Sequence, residues 1–96
     1  MKHTLSINDK VSQVPGHIVS DMDGEKVMLS VKNGKYYNLG EVGGAIWESI
    51  RETSSVQQVI QSMIIQYDVD HEDCRHQVID FIGNLLEEGL VNVESA

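Results

Sequence analysis

One cysteine, Cys74, occurs in 96 residues, so no internal disulfide can staple this chain. A small domain without disulfides suits a reducing compartment, and the expected location is the cytoplasm. No apolar run approaches the ~18 residues of a membrane span. The opening MKHTLSINDK also lacks the apolar core of a signal peptide, so no membrane association is expected. Basic residues are scarce, with seven Lys and Arg against fifteen Asp and Glu. The imbalance is uneven. From Met1 to Lys35 five lysines face four acids, a balance of +1, whereas from Asp68 to Ala96 eight acids face Arg75 alone, a balance of −7. A nucleic-acid reader neutralises phosphates with a basic face, and this chain carries the opposite field. An acidic face suits a basic partner, and its plainer reading is a solvated surface that keeps the chain soluble.

The means of catalysis are also missing. His3, His17, His71 and His76 are scattered, and the spacing of His71 and His76 puts them on different faces of a helix. Neither has a second cysteine at a zinc-site spacing, so no metal is expected. Cys74 as a nucleophile would need a base and an electropositive setting, but its neighbours are Asp70, Glu72 and Asp73. An apolar-phase cysteine on a helix is better read as packing. Gly40, Gly43 and Gly44 do not follow a dinucleotide fingerprint, so no cofactor is expected. Tyr36, Tyr37 and Trp47 could stack on bases, yet too few lysines accompany them to hold a phosphate backbone. No enzyme is expected.

What the chain does have is one small domain's worth of apolar residues, 41% of the total. Thr4–Asn8, alternating Leu5 and Ile7, reads as a short strand or a loose arm within residues 1–13. Val14-Pro15-Gly16 is a break. His17–Ser20 starts an extended run that stops at the turn cluster Asp21–Gly24. The stretch VMLSVKNGKYYNLGEVGGAIW, Val27–Trp47, then reads as strand, turn, strand and helix. Asn33-Gly34 is a strong two-residue hairpin signal, since a type I′ turn needs positive φ at both central residues. That turn pairs Val31 with Tyr36, Ser30 with Tyr37, Leu29 with Asn38 and Met28 with Leu39. Both faces of the hairpin carry apolar groups, and period alone does not decide which meets the core. The short second strand leaves an unpaired edge, to which an extended peptide can add.

Three helices follow. The first spans about Glu41–Arg51, with Val42, Ile46 and Ile50 on one stripe and Trp47 beside it. Gly43 and Gly44 each cost roughly 1 kcal/mol inside a helix relative to Ala, so their presence suggests close backbone approach. The second opens at Ser54 or Ser55, each with Gln three residues on, as in a capping box. Its apolar positions are Val56, Val59, Ile60, Met63, Ile64 and Tyr67. The third opens at Asp70 and closes at Gly89, where a Schellman cap would let Leu90 touch Leu85. Leu90–Val93 is a candidate terminal strand. In the third helix Cys74, Val78, Phe81 and Leu85 form one apolar line, and Ile79, Ile82 and Leu86 a second roughly 100° away. That arc is wider than a helix lying on a small core requires. Either the helix is deeply packed, or one line faces the core while the other lines a groove for an apolar partner.

Gly34-Lys-Tyr-Tyr-Asn-Leu-Gly-Glu-Val-Gly-Gly-Ala-Ile-Trp47 resembles the pattern G-x-x-Y-x-L-N-x-x-G-x-x-I-W of the PqqD-like family. Tyr37, Leu39, Gly43, Ile46 and Trp47 fall on its main positions. An Asp-Gly turn and strand before it, and two helices ending in Leu-Leu-Glu-Glu-Gly-Leu-Val after it, agree as well. Gly40 departs from the Asn or Asp that the family carries as helix N-cap, a substitution worth only tenths of a kcal/mol. The resemblance implies a RiPP recognition element: an α+β, winged-helix-like domain of three antiparallel strands followed by a three-helix bundle. Such domains bind the leader segment of a ribosomally made precursor peptide and present it to a processing enzyme. The free-standing form resembles that of lasso-peptide pathways, where a Tyr and a Pro anchor the leader and the partner is a cysteine-protease-like leader peptidase.

By the same resemblance, the leader would add a strand to Lys35, Tyr36, Tyr37, Asn38 and Leu39. Cys74, Gln77, Val78 and Phe81 would form the groove wall, with Asp73 or Arg75 orienting polar groups of the leader. On that mapping Val78→Asp is expected to weaken binding without unfolding the chain. The competing reading is a winged-helix regulator that binds DNA or another protein. Charge separates the two: Val56–Gln66 holds no Lys or Arg, and the third helix only Arg75.

Overall fold

The computed structural model describes residues 5–31 and 33–94. Its elements in chain order are β1 (Lys10–Gln13), β2 (His17–Met22), β3 (Glu25–Ser30), β4 (Lys35–Leu39), α1 (Gly40–Ser49), β5 (Ser54–Ser55), α2 (Val56–Tyr67), α3 (His71–Glu87) and β6 (Val91–Glu94). The expected α+β plan holds. The antiparallel sheet β2-β3-β4 precedes three helices, and a second small sheet, β5-β1-β6, joins the two ends of the chain. That second sheet is an addition to the expectation. The N-terminal strand lies at Lys10–Gln13 rather than Thr4–Asn8, and Thr4 falls outside the described residues. Val11 is fully buried, and β1 pairs along its whole length with β6. Before it, the Asp9 and Ile7 carbonyls accept the Val56 and Gln57 N–H groups, which have no partner within α2.

The hairpin differs from its expected form. The two-residue turn is Asp23-Gly24, flanked by the pair Met22↔Glu25, with φ of +56° and +85° at its two centres. These are the positive angles a type I′ turn requires. Between β3 and β4, Ser30 stands opposite Lys35, so residues 31–34 make the connection and Asn33-Gly34 is only its second half. Leu29 therefore pairs with Tyr36, Met28 with Tyr37 and Val27 with Asn38. Met28 and Ser30 face the helices and are fully buried. Val27 and Leu29 face outward.

Local chemistry sets the helix ends. Ser55 and Gln58 form the reciprocal capping box at α2, and the Asp70 carboxylate accepts the Glu72 and Asp73 N–H groups at α3. At the other end of α3, Leu90 N–H donates to the Leu85 carbonyl and Gly89 N–H to the Leu86 carbonyl, with Gly89 at φ +75°. That is a Schellman cap. Gly40, by contrast, is not an N-cap. It lies at φ +73°, its N–H donating to the Asn38 side chain, so β4 passes into α1 without a loop. The two glycines behind it have the expected close neighbours. A Cβ on Gly44 would sit 2.8 Å from the Lys26 side chain, and one on Gly43 2.7 Å from the Phe81 ring. The core of Met28, Ile46, Ile50, Ile60, Ile82 and Leu90 lies where the helices meet both sheets.

Candidate functional site

β4 has β3 on one side only, so alternate residues of Lys35–Leu39 turn their N–H and C=O groups to an open edge. Its inward side chains, Tyr37 and Leu39, face the helices, and Tyr36 and Asn38 face out. Across from this edge lies α3. Phe81 reaches from α3 to the backbone of α1 at Gly43, beside Leu39, and so floors the cleft between the edge strand and the helix. Only a glycine leaves the ring that seat.

One end of the cleft is closed. The Tyr37 hydroxyl donates to Glu88 Oε1 at 2.7 Å, at the C-cap of α3. Asn33 Nδ2 donates to the Tyr37 hydroxyl at 3.2 Å and to the Glu88 carbonyl at 3.0 Å, and Lys35 Nζ lies 3.9 Å from Glu88 Oε1. Together these bonds lash the hairpin connection to the end of α3. Tyr37→Phe removes both hydrogen bonds of the hydroxyl and is expected to lower stability by about 1–2 kcal/mol, the low end for two bonds because the site is wet. Thermal unfolding of the two proteins checks this.

A cavity of about 150 Å³ lies between α1, α2 and α3, lined by Val42, Ile46, Met63, Tyr67, Val69, Cys74, Gln77 and Val78. An apolar cavity of this volume accepts a benzene-sized group. Val42, in the first turn of α1 just past β4, is 41% exposed at its edge. Sequence reasoning puts Cys74, Gln77, Val78 and Phe81 on one wall; the first three line this cavity and Phe81 does not. That reasoning did not find Val42, Met63, Tyr67 and Val69. Val42, Met63 and Tyr67 each continue a helical stripe and Val69 lies between α2 and α3, but nothing in one helix's period says that three helices converge on one cavity.

The two apolar lines of α3 divide unevenly. Cys74, Val78, Ile82 and Leu85 are buried, and Ile79, Phe81 and Leu86 are partly covered. Val78 is 1% exposed, so an aspartate there would unfold the chain before it reported on binding. That corrects the use of Val78→Asp as a binding probe. Asp73, Arg75 and Gln77 are exposed. Arg75 pairs with Glu72 across 3.7 Å, an exposed contact of small energetic worth. Burial pushes the Cys74 thiol up from its ordinary pKa, and the thiol lies 3.6 Å from the Ile60 carbonyl. It is a packed thiol, held away from the thiolate form. Among the described residues no cluster of His, Cys, Asp and Glu is placed to hold a metal ion, and no helix is long and apolar enough to cross a membrane.

The family model for coenzyme PQQ synthesis protein D (PqqD) matches residues 25–91, well over half of the chain and all of the cleft. This chain belongs to the PqqD family. No curated protein matches it. Among solved structures, this PqqD-family chain is similar to TbiB1 in complex with the TbiA(beta) leader peptide. The TM-score is 0.77 at 22% identity, over 88% of this chain and 99% of that one. At that identity the likeness is one of fold. The likeness covers more of the PqqD-family chain than the family match does.

Proposed function

We propose that this PqqD-family chain is a non-catalytic adaptor for a ribosomally made precursor peptide. It binds the leader segment by strand addition to β4 and delivers it to a maturation enzyme. The observation that carries this reading is the open edge of β4, bonded through Tyr37 to Glu88 of α3, together with an apolar cavity lined by Val42, three residues past the end of that strand. Backbone groups of Lys35–Leu39 supply affinity without regard to sequence, and pockets for individual side chains supply specificity. The cavity is sized for one aromatic group, which suits a leader anchored by a tyrosine. Phe81 forms the floor, Gln77 and Cys74 the cavity wall, and the exposed Asp73 and Arg75 stand where polar groups of the leader would pass. The solved TbiB1 complex, whose fold this chain shares, holds a leader peptide.

The setting proposed is lasso-peptide biosynthesis in the cytoplasm, with a cysteine-protease-like leader peptidase as the receiving enzyme. The test is a fluorescence-anisotropy titration with a labelled leader peptide from the precursor encoded beside this chain. A scrambled leader and a short DNA duplex serve as controls. Saturable binding to the leader alone is the expected result. Binding to the duplex instead would assign the chain to gene regulation, and equal binding to the scrambled peptide would remove the specificity pocket.

A further inference from the structure

The face of the β2-β3-β4 sheet turned away from the helices is apolar and uncovered. Ile18, Leu29 and Tyr36 stand in one row across the three strands, with Val27 and Met22 alongside. Ile18 is 56%, Met22 60% and Tyr36 76% exposed, and with Ser20, Val27 and Leu29 they line one shallow depression. An antiparallel sheet covered on one side ordinarily turns polar residues outward. Scattered exposed hydrophobes need no explanation, but a contiguous row does.

We propose that this face docks the enzyme that processes the bound peptide, and that the enzyme reads adaptor and peptide as one surface. The inference rests on the strand-addition reading. A peptide strand paired with β4 becomes the fourth strand of this sheet, so every second side chain of it stands beside Tyr36 on the outer face. The peptide thereby completes the surface. The chain carries a net charge of −8, so a second copy would bring like charge against the acidic rim of this face. Charge therefore favours a basic partner that also touches the peptide over a second copy of this chain. The rim gives the partner's chemistry. Asp21, Asp23 and Glu25 border the Met22 end. Asp21 is paired with Lys26 at 2.9 Å, while among the described residues no ion pair holds Asp23 or Glu25. The fitting surface has an apolar centre with Lys or Arg on that side.

The experiment uses the full chain, the labelled leader and the purified leader peptidase encoded with the precursor. The double variant Ile18→Glu/Met22→Glu changes two exposed positions outside the leader-binding strand. Ser20→Arg, in the middle of the depression, is a second variant should the first fail to fold. The expected result has three parts. Leader affinity stays within twofold of the parent. The parent binds the peptidase more tightly with leader than without. Both variants weaken that leader-bound association at least tenfold in biolayer interferometry. Unchanged peptidase binding by the variants, or no leader dependence in the parent, overturns the proposal. A parent dimer in sedimentation velocity that the variants abolish hands the face to a second copy. Failure of the parent to bind leader in the anisotropy arm overturns the strand-addition reading itself, separately from the docking face.

Discussion

Ile82→Ala is expected to destabilise the chain by roughly 2–5 kcal/mol, the cost of a large-to-small change at a fully buried core site. Ile82 has no exposed surface and sits on the face of α3 that meets the core. Three side-chain carbons leave, and the close-packed neighbours cannot fill the space. Domains of this size hold about 5–15 kcal/mol in total, so at the middle of both ranges about a third of the stability would go. Urea unfolding is the measurement, with a lower midpoint and an unchanged slope as the signature of a pure stability loss. Ile79→Ala, on a partly covered site of the same helix, is expected to cost only about 1 kcal/mol, since half-buried methylenes contribute less. Equal losses from the two would show α3 to be packed evenly all round its apolar arc, leaving no side of it for a partner.

Val42→Trp is expected to raise the dissociation constant for the leader at least tenfold, about 1.4 kcal/mol, while the far-UV CD spectrum stays the same. The indole would fill the cavity mouth from a position already in contact with solvent, so the core need not rearrange. Val42→Ala serves as the opposite control, because it widens the mouth without occupying it. Anisotropy with the labelled leader measures both. Full affinity in the tryptophan variant would move the leader's anchoring side chain away from this cavity, although strand addition along β4 could stand. Val42 suits this test as Val78 does not, because one is at the rim and the other is sealed in the core.

Short-range chemistry was the most readable part of this chain. The Ser55–Gln58 box, the Asp70 cap and the Gly89-Leu90 stop all follow from residues a few positions apart, and the adjacent Gly43 and Gly44 signalled a close approach without naming Phe81 or Lys26 as the neighbours. The hairpin register was not readable, for a definable reason. A shift of two residues leaves every side chain on the same face, so alternation cannot separate a two-residue connection from a four-residue one. The choice falls to tertiary bonds: Asn33 reaching the Glu88 carbonyl, and the Ser30 hydroxyl accepting the Asn33 N–H at 3.2 Å. The second sheet escaped for a related reason. The terminal strand was legible at about Leu90–Val93, but its partner KVSQ is short and weakly patterned and becomes a strand only beside it, across nearly the whole chain. Of the cleft, the edge strand and three cavity residues were legible. Val42, Tyr67 and Glu88 were not, since their roles depend on how separate helices meet.

That pairing of β1 with β6 has a consequence for modularity. Lys10 lies opposite Glu94 on an antiparallel ladder, so the start of β1 and the end of β6 lie side by side. A unit with neighbouring ends can be spliced into a surface loop of a host protein without prising that loop apart. The cleft and the outer sheet face are built from other strands and would survive the graft, making this fold a portable cassette.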